Sequence, residues 1–125
     1  MLIVENNKIF LTRGDDAEIE VGPLTLVDGS TYELQEGDTL TLTVRETPTE
    51  EAAALVQITS VPGSNRIIIQ HEDTSDLDYG QYSADVQLLT SDKKRRTVWP
   101  EMDTGKKPDG KNLKNFMIMP EVTML

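Results

Sequence analysis

From Thr39 to Glu46 the chain alternates strictly: Leu40, Leu42 and Val44 fall on one side of an extended backbone, and Thr39, Thr41, Thr43 and Arg45 on the other. A period of two describes a strand with one buried face and one wet face. It excludes an amphipathic helix here, because helical spacing would scatter those aliphatics around the axis. The pattern recurs. Ala17, Ile19 and Val21 alternate with Glu18 and Glu20, and Tyr82, Ala84, Val86 and Leu88 share one face of Gln81–Thr90.

Further strands are expected at Asn7–Thr12, Arg95–Trp99 and Arg66–Gln70, where three isoleucines suit a buried strand. Leu24–Val27 and Tyr32–Leu34 flank Asp28-Gly29, a hairpin signal because glycine accepts positive φ freely. Phe116–Met119 reads as the final strand, at a sheet edge because Pro120 cannot donate to a ladder. Glu50–Leu55 reads as one helical turn capped by Thr49. About seven to ten short strands divided by turns predict an all-β fold, an antiparallel sandwich or barrel. A chain of 125 residues fits a single domain over 1–125. Residues 102–114, rich in Lys, Gly, Asp and Asn, read as an exposed loop.

Composition narrows function. With no cysteine, disulfides, thiolate metal sites and cysteine nucleophiles are excluded. The net charge of −10 argues against nucleic acid as a partner, since phosphate binding requires an excess of cations. No apolar run is long enough for a spanning helix, so no membrane role is expected. The charge is also divided. Residues 1–92 carry net −14, whereas residues 93–114 carry net +5 and hold eight of the twelve Lys and Arg. Lys93, Lys94, Arg95 and Arg96 form the densest cluster, with Trp99 beside it and Lys106, Lys107 and Lys111 beyond. Such a patch serves either as a solvated hairpin or as a dock for an acidic partner, another copy of the chain included.

Other candidates have simpler structural readings. Arg13-Gly14-Asp15 spells an adhesion tripeptide but equally forms a turn after the first strand. Asp73, Asp76 and Asp78, with Glu72, offer calcium-type oxygens, yet lack the spacing of an EF-hand loop. His71 is the only histidine and reads as a surface residue at a strand end; no nucleophile elbow accompanies it. No enzyme activity, cofactor or resident metal is expected. A saccharide platform would have to draw on Tyr32, Tyr79 and Trp99.

Two resemblances complete the reading. Asp78-Tyr79-Gly80-Gln81-Tyr82-Ser83-Ala84 resembles the tyrosine corner of immunoglobulin-like sandwiches, with Asp78, Gly80 and Tyr82 as the corner and Ala84 at the cysteine position. Five segments in order make a second pattern. They are Ile9–Asp15, Tyr32–Asp38, Glu72-Asp73-Thr74, Tyr79–Tyr82 with Asp85–Leu88, and Pro120–Thr123. Together they resemble small phage and prophage proteins of Gram-positive bacteria, similar to the N-terminal domain of baseplate upper proteins. The resemblance implies an immunoglobulin-like β-sandwich made in the bacterial host cytoplasm and assembled into a virion tail or baseplate. Its partners would be other tail proteins or itself. The alternatives are a host-adhesion module for surface glycans or a capsid decoration protein. It also implies that the last strand follows Val98-Trp99-Pro100 closely, whereas here residues 102–114 intervene.

Overall fold

In the computed structural model, which describes residues 1–25, 29–47, 52–100 and 114–121, the described residues are all-β apart from one helical turn. In chain order the strands are β1 (Leu2–Glu5), β2 (Lys8–Thr12), β3 (Ala17–Glu20), β4 (Leu24–Thr25), β5 (Thr31–Tyr32), β6 (Thr39–Arg45), β7 (Ala54–Thr59), β8 (Arg66–Ile69), β9 (Gly80–Leu89), β10 (Arg95–Trp99) and β11 (Phe116–Met119). The helix α1 spans His71–Thr74. Eleven strands exceed the expected number because two are only two residues long.

The alternation in β6 is real: Leu40, Leu42 and Val44 are fully buried and their neighbours half-buried. β6 lies between β7 and β9 in a seven-stranded sheet ordered β1-β2-β11-β9-β6-β7, with β10 also on β9. The register places Leu42 beside Ile58 and Val86, and Phe116 beside Tyr82 and Ile9, so that face is apolar across the central strands of the sheet. The two-stranded ribbon β3–β8 covers that face, since Ile19, Ile67 and Ile69 belong to the same buried cluster as Leu40, Val86 and Phe116.

Several expectations are corrected. The sheet is not purely antiparallel: β11 runs parallel to β2. Nor is β11 an edge strand, because β2 and β9 flank it and Pro120 falls after the last paired residue. Ala54 and Leu55 open β7 rather than closing a helical turn; Thr49, Glu50 and Glu51 lie outside the described residues. β8 alternates instead of being buried throughout, with Ile68 55% exposed between Ile67 and Ile69. The segment Leu2–Glu5 adds a strand beyond those expected from the sequence. This β1 forms a hairpin with β2 through Asn6 and Asn7, whose φ values of 51° and 58° are what a two-residue turn requires. The 24–34 hairpin is present but short, pairing Leu24 with Tyr32 and Thr25 with Thr31.

Two polar contacts organise β9. At its start the Tyr82 hydroxyl donates to the Asp78 carbonyl at 2.7 Å, closing the bend that α1 and Gly80 (φ 144°) prepare. Further along, β9 has β6 on one edge and a divided second edge, with β11 on Gly80–Tyr82 and β10 on Val86–Leu89. The buried Asn115 fills the gap. Its Oδ1 accepts from the Ala84 amide at 2.7 Å and its Nδ2 donates to the Ala84 carbonyl at 2.8 Å. β10 and β11 are thus two collinear halves of one strand position.

Tyr82→Phe, which removes one hydroxyl bond, is expected to cost about 1 kcal/mol in denaturant unfolding without loss of the fold. Asn115→Ala leaves a buried amide and a buried carbonyl unpaired and is expected to cost more, about 2–4 kcal/mol by the same measurement.

Candidate interaction site

The hairpin between β9 and β10 presents the cationic cluster. Lys93 takes a positive φ of 68° at the turn, and the Thr90 amide donates to the Lys94 carbonyl at 2.9 Å. The Thr90 hydroxyl donates to Asp92, which holds that carboxyl below its ordinary range, and accepts from the Lys94 amide at 3.0 Å. The tip is therefore shaped by main-chain and hydroxyl contacts, and its lysines are left to solvent. Lys94 approaches Asp92 at 3.8 Å in an exposed pair that screening makes weak. Lys93, Arg95 and Arg96 are exposed, and no described carboxylate forms an ion pair with them.

A buried carboxylate anchors this hairpin from beneath. Asp38 accepts from the Tyr32 hydroxyl, from the Gln35 amide at 2.9 Å and from the Ser91 amide at 3.2 Å. One side chain thus joins the 32–38 turn, the start of β6 and the hairpin tip. The Tyr32 hydroxyl bond, followed by the Gln35 amide, lowers the Asp38 carboxyl pKa against the opposing effect of burial. The same bond raises the Tyr32 phenol. Sequence reasoning gave Asp38 no role of its own; a lone Asp after Gly37, at the mouth of an alternating strand, was its only local sign.

β10 borders a cleft of about 1200 Å³ between the two layers. Trp99, Tyr32 and Pro23 line it together with Arg96 and Glu20. Trp99 is half-buried and packs on the core, displaced by a bulge between Thr97 and Trp99. Of the three aromatics considered for saccharide stacking, Tyr32 and Trp99 share this cleft. Tyr79 stands apart, 4.2 Å below the Arg13 guanidinium.

Lys106, Lys107 and Lys111 lie outside the described residues. Lys114 sends its Nζ across β9 to the Glu46 carbonyl.

The Arg13-Gly14-Asp15 turn is occupied internally. Arg13 bonds Glu121 at 3.0 Å and the Tyr79 hydroxyl at 2.9 Å, with its pKa raised chiefly by Glu121. Gly14 donates to Thr74 Oγ1 at 2.8 Å, and Asp15 pairs with the amino terminus. His71 heads α1 and donates from Nδ1 to the Gly14 carbonyl at 2.6 Å. Asp73 caps that turn by accepting from the Gln70 amide at 2.7 Å. Among the described residues no three His, Cys, Asp or Glu converge as metal ligands. No described helix is long and apolar enough to cross a membrane.

No family model, curated protein or solved structure matches this chain.

Asp38 makes a pH prediction. Its folded pKa is depressed, so its contribution is complete above the unfolded value of about 4 and is lost as pH falls through the folded pKa. At neutral pH, Asp38→Asn is expected to cost about 1.5–3 kcal/mol in urea unfolding. The gap between the two proteins should close in acid. A gap that is constant from neutral pH into acid would contradict the assignment.

Proposed function

We propose that this chain is a non-enzymatic assembly module, an immunoglobulin-like β-sandwich that serves as a structural component of a phage or prophage virion, in its tail or baseplate. The carrying observation is the exposed β9–β10 hairpin, with Lys93, Arg95 and Arg96 in no ion pair with a described carboxylate on an otherwise acidic body. Opposite charge of that kind steers and registers a partner more than it stabilises the fold. In support of the immunoglobulin-like reading, β9 carries the tyrosine corner, β6 and β11 flank it, and β3–β8 closes the apolar face. In support of a binding role over catalysis, the single histidine is engaged with a main-chain carbonyl.

The saccharide alternative is less favoured. Stacking needs an open ring face, but Trp99 packs on the core and the Tyr32 hydroxyl is committed to Asp38.

Gold-labelled antibody raised against the chain, applied to particles released by the strain that encodes it, tests the proposal. Label at the tail tip is the expected result. Label over the head would mean a decoration protein, and unlabelled particles would overturn a virion role.

A further inference from the structure

Two strand edges of this molecule are open and complementary. The Thr90 amide to Lys94 carbonyl bond closes the β9–β10 ladder at 2.9 Å. Bonded and non-bonded pairs alternate along an antiparallel ladder. Leu88 and Arg96 are therefore a bonded pair, and Arg95 and Thr97 turn their amides and carbonyls away from β9. No described strand meets them there. In β3 the Val21 amide donates to the Asn65 carbonyl at 2.8 Å, so by the same alternation Glu18 and Glu20 turn theirs away from β8. β3 has no other described strand beside it.

The side chains match as well. Glu18 and Glu20 lie on the solvent face of the ribbon, opposite the buried Ile19. Arg95 and Thr97 lie on the solvent face of the large sheet, on the side of Leu89 and Gln87. Joining the two edges aligns solvent face with solvent face and glutamate with arginine. Their present partners are modest: Glu18 reaches Arg66, and Glu20 reaches Asn65, both at 3.4 Å and exposed. Pairing like edges fails, because β10 against β10 opposes cations and β3 against β3 opposes carboxylates. The β1 edge is open too, but its exposed Ile3 and Val4 carry no charge to select a partner.

Both edges border the same cleft from opposite layers. A two-fold axis through the cleft therefore brings β3 to β10 twice in one closed contact. Building on the assembly role proposed above, we infer that two copies of this chain form a two-fold dimer in which β10 of each lies beside β3 of the other.

Sedimentation velocity with charge-reversal variants tests this. The wild type is expected to dimerise at low salt, with dissociation about tenfold stronger at high salt. The Arg95→Glu/Arg96→Glu variant and the Glu18→Arg/Glu20→Arg variant, each folded by circular dichroism, are expected to be monomers. Mixing them should restore a dimer, because both contacts of the mixed pair are then complementary. A mixture that stays monomeric overturns the inference, and so does a dimer that survives in both variants. A wild type that is monomeric at every salt concentration yet labels the tail tip also overturns it, while leaving the virion role standing.

Discussion

Strand β9 has three claimants for two edges, and the Asn115 carboxamide reconciles them. β6 takes one edge over Ser83–Leu89. β11 and β10 divide the other, and the Asn115 side chain bonds both polar groups of Ala84 where neither strand reaches. A side-chain amide has the same donor and acceptor as a peptide group, so it substitutes for one rung of the ladder. The Asn115 amide also donates to the Tyr82 carbonyl, and its carbonyl accepts from Ile9, which ties β2 into the same junction. The parallel pairing of β2 with β11, the burial of Phe116 and the outward position of β10 all meet at this one residue. Because β2 follows β11 and not β10, the outer side of β10 is left open above the cleft.

What the sequence disclosed is what local burial controls. The alternation of Thr39–Arg45 and of Gln81–Leu89 is visible because each strand buries one face against a single core. The Tyr82 hydroxyl bond to the Asp78 carbonyl is just as local, since it spans only four residues. Ala54–Thr59 was hidden, as three consecutive apolar residues mask the alternation of an edge strand in which only Val56 is buried. The interior place of β11 was not readable from Phe116–Met119. Its neighbours are set by residues more than a hundred positions earlier and by the β9 bend. Asn115 adjoins a polar stretch and has the composition of a loop; only its contacts reveal a core residue.

The candidate site was half legible. The Lys93–Arg96 cluster stands out in composition, and its place on a hairpin tip follows from turn chemistry. The acidic edge did not stand out, because Glu18 and Glu20 are two among eighteen acids in residues 1–92. Only the bonding parity of β3 and its position across the cleft distinguish them. The global charge keeps copies soluble and apart, and the two opposite edges define the one approach in which repulsion becomes attraction.

Residue-resolved amide hydrogen exchange at low and high protein concentration tests the central claim most directly. In dilute solution the Arg96 amide, bonded to β9, should be protected, whereas those of Arg95, Thr97, Glu18 and Glu20 should exchange freely. At high concentration and low salt these four should slow together, while the outer amides of β7 stay unchanged. If Arg95 and Thr97 are protected at every dilution, or none of the four slows on concentration, β10 is not the open docking edge that the divided β9 ladder creates.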